Sequence, residues 1–196
     1  MAQKDPLPSE GGVYLQYVLG LWPGRRVPVY DVHRLEPGDM TGWQESDLTT
    51  VIDEGRRQLD RQHSDLEHIR GRAQFLFTTA LGLLVVIFAS VPSIVASLSL
   101  WAFLIWFVGA LGTALGLLGA AAVTVARKDI GWIDTTRLSR QQSPIHRELA
   151  AAYARAVRTG ENTMATHITV LRDAVFLVVV GAVAHAVAWL SVVLWG

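Results

Sequence analysis

The chain has no cysteine among its 196 residues, so disulfide bonds and thiolate chemistry are excluded. Its 17 Lys and Arg residues balance 17 Asp and Glu residues, so no net field attracts nucleic acid. The common catalytic and cofactor motifs are also absent: there is no Walker A loop, no GxGxxG after a strand, no HExxH and no GxSxG. We therefore expect no enzymatic activity, no cofactor and no nucleic-acid partner.

Charged residues are missing from two long tracts. Residues 73–126 and 174–196 contain no Asp, Glu, Lys or Arg. A helix rises about 1.5 Å per residue, so about 20 apolar residues cross the hydrocarbon core of a bilayer. The first tract is long enough for two crossings, at residues 73–91 and 98–126 on either side of a turn that contains Pro92, and the second is long enough for one. The sequence thus predicts an integral membrane protein with three transmembrane helices and the lipid bilayer as its first partner.

The basic residues predict the orientation of these helices. All 17 lie before residue 73 or within residues 127–173, and none lies in the turn or after the third span. Because Lys and Arg concentrate in cytoplasmic loops, both polar segments should face the cytoplasm. We expect a multi-pass protein of the plasma membrane, or of the inner membrane of a bacterium, with its N-terminus inside and its C-terminus outside.

Two polar segments predict long helices that enter the membrane without a break. Residues 46–72 carry a heptad-like apolar stripe with gaps at Gly55 and Gln62. Residues 127–173 start as a loop and continue as a helix with a weaker, alanine-rich stripe. No helix breaker separates either helix from the following span, so the two should pair as a cytoplasmic stalk.

Residues 1–45 differ in composition and predict a small β-rich segment. They hold five of the seven prolines, and two runs rich in β-branched and aromatic residues flank the turn "PGR". A lone hairpin is marginal in water, so it should pair with another chain, pack on the helices or lie at the membrane surface. Arg25 and Arg26 at the turn either contact an anionic ligand or lipid or remain solvated. The expected fold is all-α with this β-rich addition.

The second span contains a stripe of small residues within "GALGTALGLLGAAAVT". Small residues at every fourth position let helix backbones approach closely in lipid. The stripe therefore predicts close helix packing, either within one protomer or between copies in a homo-oligomer, or the lining of a narrow pore. The candidate residues are Gly109, Gly112, Gly116 and Ala120.

His185 is the one ionisable residue within the predicted spans and lies near the middle of the third. Ionisable groups at that depth are costly and are functional candidates by default. The ring could hydrogen-bond Thr78, Thr79 or Thr113 on another span, or it could serve a pore, a gate or a proton path. A metal role is disfavoured because the spans hold no second ligand.

One other cluster resembles a metal site only in composition. It lies on the predicted helix 46–72 and is more consistent with a solvated helix face, because its two histidines are five residues apart. We expect no metal. The cluster consists of His63, His68, Asp60, Asp65 and Glu67.

The layout resembles a known group of small bacterial membrane proteins. A helix that ends in "RGRAQFLFTTALGLL", a tight two-span hairpin and then "AAAYARAVRTGENTMATHITVLRDAVFLVVVG" are similar to the SLATT and Pycsar-type transmembrane effectors. The resemblance covers residues 48–194. It implies an effector in antiviral defence that responds to a signal such as a cyclic nucleotide, self-assembles and breaches the inner membrane.

Three functions remain open from the sequence. The first is a self-assembling pore-forming or membrane-disrupting effector. The second is a non-enzymatic accessory or scaffold subunit that docks a protein partner at the cytoplasmic face. The third is a small channel or transporter subunit, which the few polar residues in the spans favour least.

Overall fold

The computed structural model describes residues 10–21, 38, 40–97, 99–125 and 145–195, and in these residues it contains five helices and no strand. Three helical segments are long and apolar enough to cross a membrane: Glu45–Ala96, Leu100–Val125 and Ile145–Leu194. This result confirms the prediction of a membrane protein with three candidate spans. The helices are α1 (Glu10–Leu19), α2 (Glu45–Ala89), α3 (Val91–Ala96), α4 (Leu100–Val125) and α5 (Ile145–Trp195).

The two longest helices are continuous from polar sequence into apolar sequence, as predicted. Helix α2 has 45 residues and α5 has 51, and neither contains a proline. Helix α2 has Glu45 and Asp47 in its first turn, where negatively charged carboxylates interact favourably with the positive end of the helix dipole. With no breaker between them, the polar and apolar parts of each helix share one unbroken backbone.

The prediction of a β-rich N-terminal segment is wrong for the part that the structure describes, which forms α1. Val13, Tyr14 and Tyr17 are buried and lie on one face at helical spacing. This face packs on α4, and such packing overrides the β propensity of valine and tyrosine. Residues 22–37 lie outside the described residues. They include Arg25, Arg26 and the expected "PGR" turn.

The turn between the first two spans is itself partly helical. Helix α2 ends at Ala89, and the short α3 follows after Ser90 with Pro92 in its first turn, where a missing N–H costs no hydrogen bond. Helix α4 then starts after Ser99, whose hydroxyl oxygen accepts a hydrogen bond from the Ala102 N–H at 3.3 Å. The described part of the reversal thus pairs backbone N–H groups at both of its ends, which suits a turn near lipid.

The structure divides into two compact units, and each is described separately. The polar unit comprises the described residues of 29–69 and 145–167. Its core is small, with Met40, Leu48, Ile52 and Ala150 at its centre. At the edge of this core, the Nδ1 atom of His146 lies 2.9 Å from the Oε1 atom of Glu45.

The gaps in the α2 stripe are contact points within the polar unit. Gly55 is buried against Tyr153 of α5, since a Cβ there would lie 2.8 Å from the Tyr153 Cβ. Gln62 is also buried, and its Nε2 donates to the Val157 carbonyl at 3.0 Å. Residue numbers in α2 and α5 rise together along these contacts, so the two helices run parallel in this unit.

The apolar unit comprises the described residues of 1–28, 70–126 and 168–196. Helices α4 and α5 run antiparallel in it, because Gly109 faces Gly181 whereas Gly116 faces Ala174. Much of its outer surface is large apolar side chains, as expected for a surface that faces acyl chains instead of water. These exposed side chains include Phe75, Val85, Phe88, Trp101, Phe107, Phe176, Val183 and Leu194.

Trp106 links three parts of the apolar unit. Its ring is buried with Ile87 and Ala188, and its indole N–H donates to the Ile87 carbonyl at 3.0 Å. Phe88 contacts the ring edge-on with centroids 6.2 Å apart, and Phe103 stacks on it at 5.9 Å. The tryptophan thus has a partner for both its apolar ring and its one polar group.

We predict that Gly55→Ala weakens the polar unit. The added methyl meets Tyr153 inside contact distance, and relieving such a clash costs about 1–3 kcal/mol, more than alanine's better helix propensity returns. Gly71→Ala is the matched control, because a Cβ there meets nothing within 4 Å. Thermal unfolding in detergent should show a lower midpoint for Gly55→Ala and an unchanged or higher one for Gly71→Ala. Equal midpoints would contradict the contact.

Candidate functional site

The candidate site is the contact between α4 and α5 in the apolar unit, which we call the glycine seam (Gly109, Gly112, Gly116 and Gly181). Its first property is the closeness of the two backbones. A Cβ at Gly109 would lie 2.9 Å from the Gly181 carbonyl oxygen, and one at Gly112 would lie 3.3 Å from the Leu177 carbonyl oxygen. No side chain larger than hydrogen fits at Gly109 without separating the helices.

The seam is complementary on both sides. A Cβ at Gly181 would lie 2.8 Å from the Gly109 carbonyl oxygen and would also collide with the Thr113 hydroxyl. That hydroxyl donates to the Gly109 carbonyl at 2.9 Å, so it is satisfied within its own helix. The structure therefore places Gly109, Gly112 and Gly116 of the predicted stripe inside the chain, packed against α5.

A small residue next to the predicted stripe, near the C-terminal end of α4, packs against a different helix. Ala120 is fully buried, but the adjacent Gly119 faces α1 instead of α5, and a Cβ there would collide with the Tyr14 ring. The Tyr14 hydroxyl donates to the Leu115 carbonyl at 2.7 Å. Small residues on α4 thus pack against two different helices, α1 and α5. The sequence pattern alone does not show which small residue contacts which helix.

His185 lies on the α5 side of the seam. Its backbone nitrogen would be 3.0 Å from a Cβ at Gly109, and the residue is 8% exposed. The ring Nδ1 is buried and has no hydrogen-bond partner among the residues that the structure describes. A buried nitrogen without a partner costs about 1–3 kcal/mol.

The three threonines proposed as partners of His185 bond elsewhere. Thr113 donates to the Gly109 carbonyl, and the hydroxyls of Thr78 and Thr79 both donate to the Phe75 carbonyl at 2.9 Å. The interhelical hydrogen bond expected from the sequence is therefore absent at Nδ1 within the described residues. His185 occupies the seam without the bond that would explain it as a structural element.

Tyr14 is a contact that the sequence reading missed. Burial and, to a smaller extent, the Asp173 carboxylate raise the pKa of its hydroxyl to about 12, against a smaller lowering effect at Gly119. The phenol therefore keeps its proton, and can donate to Leu115, at every pH up to well above its ordinary value of 10. In the sequence, Tyr14 follows Gly11, Gly12 and Val13, and nothing in this local pattern predicts a hydrogen bond to α4.

Gln62 is a second missed residue, in the polar unit. Its Nε2 is bonded to Val157, but its Oε1 is buried without a partner in the described part of the chain. The side chain packs against Gly160, where a Cβ would collide with its amide. A polar residue on a heptad stripe restricts the register in which two helices can pair.

The histidines of the possible metal cluster bond to their own helix. Nδ1 of His63 lies 3.3 Å from the Leu59 carbonyl, and that of His68 lies 2.7 Å from the Ser64 carbonyl. Within the described residues, no group of three or more His, Asp or Glu side chains is placed to hold a metal ion.

Comparison with known proteins adds no relative to this picture. No family model, no curated protein and no solved structure matches the chain. The site must therefore be interpreted from its own geometry.

We predict that Gly116→Ala loosens the seam. A Cβ there would lie 2.5 Å from a Val178 methyl and 2.8 Å from the Ala174 carbonyl oxygen, and relieving this overlap should cost about 1–3 kcal/mol. Gly82→Ala is the matched control in another span, since a Cβ there meets nothing within 4 Å. Unfolding in detergent, followed by tryptophan fluorescence, should separate the two variants. A stable Gly116→Ala would contradict the close packing.

We predict that His185→Leu does not destabilise the protein. Leucine is of similar size and removes an unpartnered polar atom, so the free energy of unfolding should stay level or rise by about 1–3 kcal/mol. Trp106→Phe is the contrasting variant, because it removes a donor that has an acceptor and should lower stability by at least about 1 kcal/mol. A loss for His185→Leu as large as that for Trp106→Phe would show that the imidazole has a structural partner.

Proposed function

We propose that the protein is a non-enzymatic membrane effector that permeabilises the cell membrane when the glycine seam opens. The described structure then corresponds to its resting state. In this proposal, copies of the protein assemble within the bacterial inner membrane, with the N-terminus in the cytoplasm and the C-terminus outside. The orientation follows from the basic residues, all of which lie outside the apolar tracts.

The buried Nδ1 of His185 carries this proposal. An imidazole without a partner makes the closed seam less stable than an apolar one of the same shape. If α5 separates from α4, the ring can meet water or another copy of the chain and recover the hydrogen bond. The histidine therefore favours the open state, as a gate residue should and as a packing residue should not.

The continuous helices support a route from signal to membrane. The polar and apolar parts of α2 share one backbone, as do those of α5. A ligand or protein bound to the polar part can bias an equilibrium in the membrane if it binds the two states with different affinity. A cyclic nucleotide, as the resemblance to the defence effectors implies, or a cytoplasmic protein would both be suitable inputs.

Assembly in the resting state cannot use the surface of the glycine seam. The small residues Gly109 and Gly116 are already occupied by α5 of the same chain. Copies must therefore meet through the exposed apolar side chains or exchange α5 after opening. The second alternative would present the glycines and His185 to a neighbouring copy.

The test forces the seam open without knowledge of the signal. Purified protein is placed in liposomes loaded with carboxyfluorescein, and dye release is measured for the wild type, Gly181→Leu and Gly82→Leu. Gly181→Leu wedges the seam against Gly109 and should release dye much faster than the wild type. Gly82→Leu adds the same bulk where nothing lies within 4 Å and should not.

Controls separate permeabilisation from misfolding. Circular dichroism and flotation with the liposomes must show that each variant is helical and inserted. Full retention of dye by an inserted Gly181→Leu would overturn the proposal. A stable complex with another protein from the source cell, combined with that retention, would favour the accessory-subunit alternative.

A further inference from the structure

Helix α1 is apolar on the face that packs on α4 and also on the face that does not. Val13, Tyr14 and Tyr17 are buried, whereas Leu15 is 56% exposed and Leu19 is 40% exposed. Within its ten residues, Glu10 and Gln16 alone have polar side chains other than the two tyrosine hydroxyls. A helix with apolar side chains all round is unsuited to a water-exposed position.

The contact with α4 gives the depth of α1. The Tyr14 ring lies against Gly119, six residues before the last residue of α4, which corresponds to about 9 Å along the helix axis. The hydroxyl reaches further, to the Leu115 carbonyl. Helix α4 is about 39 Å long and exceeds a hydrocarbon core of about 30 Å, so centring it on the core puts Gly119 about 4–5 Å inside the boundary.

A second helix gives the same level independently. Gly116 of α4 faces Ala174 of α5, so the adjacent Asp173 lies within about one turn of Gly119 along α4. Asp173 is the last charged residue before the apolar tract of α5, so it marks the polar border of that span. Tyrosines favour this zone, where the ring is in apolar surroundings and the hydroxyl finds a polar partner.

The end of α4 that α1 contacts also has exposed apolar side chains. Leu118, next to Gly119, is 39% exposed, and Val125 at the end of α4 is 70% exposed. Leu15 and Leu19 are exposed apolar side chains on the helix that packs against this end of α4. A separate protein partner is not required to cover them, because the acyl chains that cover α4 can cover them too.

We infer that α1 is an in-plane membrane helix, which lies at the headgroup–acyl boundary that α4 reaches at its C-terminal end, with Leu15 and Leu19 in contact with lipid. Such helices bury their apolar face about 5–10 Å into the boundary. The glycine notch at Gly119 and the Tyr14 hydrogen bond attach α1 to the second span. The bilayer thus has two roles: its hydrocarbon core surrounds the three spans, and its surface binds α1.

The absence of cysteine makes the test direct, because single-cysteine variants need no background substitutions. Leu15→Cys and Leu19→Cys are spin-labelled in the full-length protein in nanodiscs. Collision rates are measured with oxygen, which partitions into lipid, and with a water-soluble nickel chelate. Val86→Cys, exposed within the first span, gives the lipid standard, and Ser64→Cys, exposed in the polar unit, gives the water standard.

The inference expects oxygen-to-nickel ratios at Leu15 and Leu19 that approach the Val86 value and exceed the Ser64 value several-fold. Ratios equal to that of Ser64 would overturn it in favour of a water-exposed helix. Low collision rates with both reagents would overturn it in favour of a protein partner or a second copy. Tyr14→Phe in the labelled background should increase label mobility at Leu15, whereas Tyr153→Phe, in the polar unit, should not.

Discussion

The close approach of α4 and α5 is the constraint on which the apolar unit depends. In lipid there is no exclusion of water to drive two helices together, so their association depends on how many atoms can come into contact. Gly109 and Gly181 face each other and remove the side chains that would hold the backbones apart. The buried position of His185 follows from this contact, because the ring is carried on the same face of α5 as Gly181.

The same helices solve a different problem in the polar unit. There the apolar positions Leu48 and Ile52 lose contact with water when they pack, so burial itself drives the association. The heptad positions of α2 and α5 nevertheless continue through both units, as the buried Ala73, Ala80 and Ile87 show for α2. One repeat therefore serves two environments.

Two polar side chains, Gln62 and His185, lie on these buried stripes and each has a buried polar atom without a partner in the described residues. Gln62 satisfies one of its amide atoms, and His185 leaves its Nδ1 without a partner in the described residues. His185 is visible in the sequence as the one ionisable residue of the spans, whereas Gln62 appears there only as a gap in a stripe. Its hydrogen bond joins residues 95 apart in the chain, which no local pattern can reveal. The N-terminal helix was mispredicted for the same reason, since its valines and tyrosines favour a strand until α4 offers them a surface.

The sequence by itself determined the three candidate spans, the continuity of two of them with polar helices and the small-residue stripe of α4. These features depend on composition and on the helical repeat, which are local properties of the chain. Only the tertiary structure decided that the stripe packs against α5, that Gly119 receives Tyr14 and that His185 lies at the seam without a partner for Nδ1. Those outcomes depend on which surfaces meet, and that is set by the fit of helices distant in sequence.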